Sequence, residues 1–195
     1  MTKMLLIAAS AASLMIPAAA SAQAVPAAVV AVVDLEKVTT DCNACKTASA
    51  SLRTKATALQ TRAKALGTPL ETEQKSIQAA IDALKGAEPD AALQARIKAF
   101  ETKRQSGAAE MARSQEQLQR DQAYIQKQIG DKLGPIYQQV MQKRGANVLL
   151  ETGSTLATTT SVDVTTDVVA ALNVALPAIA TTAPAAPVQQ QPQGR

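Results

Sequence analysis

Two stretches of equal length, residues 42–85 and 90–133, carry Ala, Gln and Lys at helical spacing and are hinged at Gly86-Ala87-Glu88-Pro89-Asp90. At 1.5 Å rise per residue, 44 residues make a helix of roughly 65 Å, far beyond an ordinary globular helix. A short Gly/Pro-containing link sends the second helix back antiparallel to the first. The expected fold is α+β: a long antiparallel α-helical coiled-coil hairpin over 42–133, its tip at 86–90, protruding from a small β-rich oligomerisation body.

In the first helix two seven-residue columns run side by side: Leu52, Leu59, Leu66, Glu73, Ala80 and Ala56, Ala63, Leu70, Ile77, Leu84. Their alternating 4/3 spacing is that of a coiled-coil seam. The large side chains change column at Gly67-Thr68-Pro69-Leu70-Glu71, a sequence suited to ending one helix and capping another, so a break or kink is expected there. The return helix has Ile97, Arg104, Met111, Leu118 and Ile125 in one column. The other decays from Leu93 and Phe100 to Gly107, Ser114 and Asp121. Folding the pair about its centre puts Gly67 and Gly107 at one level. With Pro69, they mark an expected arm hinge, since each helical glycine costs about 1 kcal/mol against alanine.

Outside the hairpin, Ala28–Val33 is a β-branched and small apolar run closed by Asp34, which predicts a strand near 28–34, with Asp41 capping the first long helix. Gly134-Pro135 should end the return helix and start a short one, Ile136 to Arg144, stopped by Gly145. Asn147–Leu150 reads as a strand, Glu151–Ser154 as a turn, Thr155–Thr160 as a second strand, and Thr166–Leu176 as a helix capped by Asp163 or Thr165. The body is thus two pieces, 28–41 and 134–176, of about 57 residues together. That is marginal for a lone core, so several chains are expected to share one. Residues 177–195, Pro- and Gln-rich, are expected to form a disordered tail.

At the other end, Lys3, the apolar run Met4–Ile16 and Ala20-Ser21-Ala22 read as an export signal over 1–22, cleaved near Ala22. The apolar run is too short to span a bilayer. An exported chain meets oxidising surroundings, where Cys42 and Cys45 are expected to pair as a clip on the first helical turn. A thioredoxin-like redox pair is the competing reading of C-N-A-C, but such motifs sit in a βαβ setting.

Charge is unevenly placed: residues 43–144 hold 17 Lys and Arg against 10 Asp and Glu, net +7, while the rest is net −3. Lys46, Arg53, Lys55, Arg62 and Lys64 fall in a stretch, 43–70, with no acid. They are candidate binding groups for acidic polypeptide or an anionic membrane surface, or else an ordinary solvated face. No aromatic side chains interleave with them, which argues against nucleic acid. The chain has no His and three aromatics, Phe100, Tyr124 and Tyr137, which removes His-based acid–base and metal chemistry. No enzyme, metal or cofactor is expected.

The order signal, strand, long helical hairpin, strand-turn-strand-helix resembles the Skp/OmpH family of periplasmic chaperones over about residues 28–174. Ala31-Val32-Val33-Asp34, Gly145-Ala146-Asn147-Val148-Leu149-Leu150 and Val162-Asp163-Val164-Thr165-Thr166-Asp167-Val168 carry the resemblance. It implies a periplasmic homotrimer whose arms enclose a cavity for unfolded outer-membrane β-barrel proteins, held without ATP. Cys42/Cys45, the Gly67–Pro69 stretch and the tail depart from the family pattern, and no lipopolysaccharide site can be matched residue by residue. The competing reading is an exported coiled-coil spacer or adaptor of the cell envelope. A spacer needs a well-filled seam, which Arg104, Gly107, Ser114 and Asp121 do not provide.

Overall fold

The run Val30–Val33 forms strand β1 in the computed structural model, which describes residues 25–185. Ala31, Val32 and Val33 are all buried, as a continuous apolar run requires. β1 pairs in parallel with β2 (Val148–Glu151), in a register from Val30 opposite Val148 to Val33 opposite Glu151. Its other edge receives a single bridge from Asp163 and the Val164 N–H on the Val32 carbonyl at 2.9 Å. Parallel neighbours need a crossover, and here the crossover is the two long helices.

Helix α1 (Leu35–Asp41) follows β1 at once. Asp34, expected only to close the strand, caps it: Oδ1 accepts from the Lys37 N–H at 2.8 Å. The first long helix, α2 (Asn43–Ala83), is capped by Cys42 and not by Asp41, the Cys42 sulfur accepting from the Cys45 N–H at 3.2 Å. Lys85 and Gly86 turn the chain with positive φ, and Asp90 caps helix α3 (Ala91–Arg144) through the Leu93 N–H at 2.8 Å. Gly145, in the left-handed region at φ 67°, ends α3 as expected. Its N–H and that of Ala146 close back onto Gln142 and Met141.

The equal arms do not survive. α2 has 41 residues and α3 has 54, because α3 runs unbroken through Gly134-Pro135 to Arg144, just as α2 runs unbroken through Gly67-Thr68-Pro69. Neither expected interruption ends a helix, for a common reason. Pro69 and Pro135 both lie on exposed faces, and so do Ala65 and Asp131, whose carbonyls lose their helical partner and can turn to water. Below Pro135 the buried stripe Ile125, Ile129, Ile136, Val140 continues in phase, so packing holds the helix across it.

α2 and α3 run antiparallel: Lys55 meets Asp121, Arg62 meets Glu110, and Glu73 meets Arg96, climbing one helix while descending the other. Leu66 lies against Gly107, within a residue of the expected level. The main core sits at the base, where β1, α1, the first turns of α2, the Ile125–Val140 stretch of α3 and helix α4 (Thr165–Ala175) converge. Val164, Val168, Leu172 and Leu176 give α4 one buried stripe. Thr165 Oγ1 accepts from the Asp34 N–H at 2.9 Å, and Asp167 pairs with Arg144 at 2.6 Å, tying α4 to β1 and α3.

Two further expectations fail. Thr155–Thr160 is not a strand, having no neighbouring strand to pair with among the described residues, and Leu156 stands fully exposed. Short 3-10 turns at Thr152–Ser154 and Thr160–Val162 flank it. The base is therefore less β-rich than expected. Nor is the whole of 177–195 loose: residues up to Ala183 pack back onto the long helices. The segment 1–22, expected to be an export signal, and residues 186–195 lie outside the described residues.

Candidate functional site

The five cations singled out by sequence do not share one surface. α2 turns Ala48, Leu52, Lys55, Leu59, Leu66, Glu73 and Ile77 toward its partner helix, where they are buried or half-buried. At 100° per residue, Lys46, Arg53 and Lys64 fall on one stripe almost opposite that face, and all three are exposed. Among the described residues none of the three is in an ion pair. They form an outward line of free positive charge.

Arg62 and Lys55 are used within the helix pair. Arg62 grips Glu110 through two bonds of 2.6 and 3.0 Å, and Arg96 grips Glu73 at 2.6 and 3.1 Å, the bidentate geometry guanidinium allows. The hydrogen bonds from the arginines hold both glutamates below the usual carboxylate range, against a smaller opposing effect of desolvation. Lys55 Nζ sits 2.6 Å from Asp121, whose side chain is only 2% exposed. Burial works to raise the Asp121 pKa. The hydrogen bonds from Lys55, the Ala183 N–H and Gln117, with the Lys55 charge, outweigh burial and hold it below normal.

That carboxylate is buried because an irregular segment, bent at Thr182, crosses it. Ile179 packs against the main core, and from there the chain runs along the groove between α2 and α3. Gln128 pairs with both main-chain groups of Ala180, donating to its carbonyl at 2.9 Å and accepting from its N–H at 3.0 Å. Lys55 donates to the Thr181 carbonyl at 2.5 Å and to Thr182 Oγ1 at 3.0 Å, and the Ala183 N–H donates to Asp121 at 2.8 Å. Sequence reasoning missed this strap, and took Asp121 for a failing seam position. The one available signal was Ile179, an isolated large apolar residue near the start of the tail.

Cys42 and Cys45 are joined in a disulfide, and both are buried in the main core, at 0% and 2% exposure. A catalytic thiol must reach a substrate disulfide, which these positions do not allow. Gly67 has open space around it, whereas Gly107 is buried against Leu66. Between Ala48 and Asp121 only Ile77 and Gly107 are buried, so the upper helix pair has almost no dry seam. No helix among the described residues is long and apolar enough to cross a membrane.

A sequence model of the family "Outer membrane protein (OmpH-like)" matches residues 29–172, well over half of the chain. The chain belongs to the OmpH-like family. The OmpH-like fold is seen independently in a crystal structure from Caulobacter crescentus CB15, described as an outer membrane chaperone (OmpH-like). It aligns with a TM-score of 0.66 at 20% identity, covering 86% of this chain and 96% of that one. Among curated proteins no sequence matches this OmpH-like chain. The matched span starts just before β1 and ends inside α4, so it takes in both strands and both long helices. The strap lies beyond it.

Proposed function

We propose that this OmpH-like chain is a non-enzymatic, ATP-independent holdase chaperone of the periplasm, exported by its N-terminal signal. As a homotrimer it holds unfolded outer-membrane β-barrel proteins in a cavity between its helix pairs. Residues 42–133 act as the arm, and 28–41 with 134–176 as the oligomerisation body. The observation that carries the reading is the unfilled seam of α2 and α3. A rigid spacer gains its stiffness from continuous apolar layers, whereas a pair buried only at Ile77 and Gly107 above its base can yield to occupants of different size. The outward stripe Lys46, Arg53, Lys64 adds long-range attraction for acidic clients without a tight contact that would slow release.

Self-association is supported by what the base leaves open. Among the described residues β2 has one unpaired edge, half of its residues are exposed, and a groove beside it is lined by Val33, Leu35, Tyr137, Met141, Leu149 and Leu150. An open edge next to apolar surface is costly for a lone chain. Leu156 and Val174 also stand almost fully exposed.

The test combines mass in solution with suppression of aggregation when a urea-unfolded outer-membrane β-barrel protein is diluted into the sample. A trimer that suppresses aggregation at stoichiometric ratio is expected. A monomer without holding activity overturns the reading, and a trimer without it favours the envelope spacer.

A further inference from the structure

The strap shows how this chain holds a non-helical polypeptide segment by its main chain. Six hydrogen bonds run between residues 180–183 and the long helices, and five of them end on main-chain atoms: the N–H and carbonyl of Ala180, the carbonyl of Thr181, and the N–H and, at 3.5 Å, the carbonyl of Ala183. Only Thr182 contributes a side chain. A groove that reads main-chain groups through Gln128, Lys55, Asp121 and Gln117 accepts nearly any extended sequence, the same logic by which sheet edges bind peptides without regard to most side chains. The groove does not end with the strap. Past Thr182 it continues between Ala58 and Leu59 of α2 and Ser114 and Leu118 of α3, with apolar lining and no occupant among the described residues. A longer extended segment would satisfy every group the strap satisfies and also cover Leu59 and Leu118.

We propose that the α2–α3 groove is a binding site for extended segments of unfolded polypeptide, and that residues 179–183 occupy it in cis until a client segment displaces them. The proposal rests on the holdase reading and adds the site and its regulation. A tethered segment competes at an effective concentration in the millimolar range. A lone peptide at micromolar concentration therefore cannot dislodge the strap, while a long unfolded chain confined beside the arms presents many segments at once. The strap keeps the groove satisfied when no client is present, with the Asp121 carboxylate covered.

The test uses the full chain and a strap-released variant, Ala180→Pro with Ala183→Pro, which deletes the two strap N–H donors and alters no groove residue. The probe is a fluorescently labelled synthetic peptide of residues 177–185. It is expected to bind the released variant at least roughly tenfold tighter than the parent, two net hydrogen bonds being worth about that ratio or more. Adding Gln128→Ala to the released variant should reverse most of the gain. Ile179→Ser, which removes the strap's apolar anchor, gives the same reading should the proline pair fail to fold. In the parent protein, unfolded β-barrel protein should speed hydrogen exchange at the amides of Ala180 and Ala183. Equal probe affinity for parent and released forms overturns the proposal. So does unchanged exchange at those amides while aggregation is being suppressed, a result that leaves the holdase reading intact. Probe binding that tracks strap release in a protein without holding activity sustains the groove and overturns the holdase reading.

Discussion

Lys55→Met tests whether the Lys55–Asp121 contact fastens the helix pair near its base. Methionine keeps the length and apolar stem of lysine but removes the charge, leaving a carboxylate 2% exposed with Gln117 at 2.7 Å and the Ala183 N–H at 2.8 Å as its donors. Removing one partner of a fully buried ion pair costs about 3–5 kcal/mol. Here the lysine side chain is 32% exposed, so water screens the pair, and two of three donors remain. The expected loss is therefore about 2 kcal/mol. Adding Asp121→Leu takes the stranded charge away. The double variant should then be no less stable than Lys55→Met alone, and the two single losses should exceed the double loss by about 2 kcal/mol. Urea unfolding followed by far-UV circular dichroism, at one fixed protein concentration, measures all four proteins on a scale where mass action cancels. A Lys55→Met midpoint within about 0.5 kcal/mol of the parent, or strictly additive losses, refutes the assignment of Asp121 as a paired buried charge.

The same carboxylate sets a pH dependence. Its folded pKa is lowered, so the unfolded chain takes up the proton first on acidification. Its contribution is complete above the ordinary value of about 3.9 and drains as pH falls through the lower folded value. Asp121→Asn should show a shallower stability loss between about pH 5 and pH 2.5 than the parent in urea titrations, and parallel curves count against it. Gly107→Ala places a Cβ 3.9 Å from Leu66 Cδ1, an ordinary contact, and should stabilise by about 1 kcal/mol while slowing amide exchange over 104–110. Unchanged exchange there would argue against a hinge at this level. Reducing the Cys42–Cys45 disulfide opens a very short loop and should cost about 2 kcal/mol by the chain-entropy relation, read as a fall in urea midpoint with dithiothreitol. Replacing Lys46, Arg53 and Lys64 together by Gln should weaken capture of an acidic unfolded protein several-fold at low salt, with a flatter salt dependence and an unchanged urea midpoint.

What could be read from sequence was what depends on near neighbours or on strong periodicity. The β1 run, the stop at Gly145 and the antiparallel register of the long helices all follow from such signals. Local rules misled where position relative to solvent decides. Gly67-Thr68-Pro69 and Gly134-Pro135 look like helix boundaries, yet each proline faces water and the helix runs on. α1 escaped notice because its seven residues carry one fully buried side chain, Val38, too little for a period to show. The strap was illegible for a different reason. Its partners read main-chain atoms, so residues 180–183 need no distinctive side chains, and Lys55 and Asp121 stand 66 positions apart.

The position of the strap node in the molecule gives it weight. Below it, the stripe from Ile125 to Val140 belongs to a core shared with β1, α1 and α4. Above it, the helices are joined by Arg62–Glu110 and Arg96–Glu73, pairs open to water, with Ile77 and Gly107 alone buried. Exposed pairs of this kind hold geometry weakly, so the upper helices belong to the low-stability end of the molecule and can part without disturbing the base. The Lys55–Asp121 contact lies at the boundary between the two regimes, and the strap seals it. An empty groove would therefore hydrate Asp121 and loosen the lowest fastening of the helix pair, which a bound segment, the strap or a client in its place, keeps closed. Occupancy of the groove and opening of the helix pair are in that way two readings of one equilibrium.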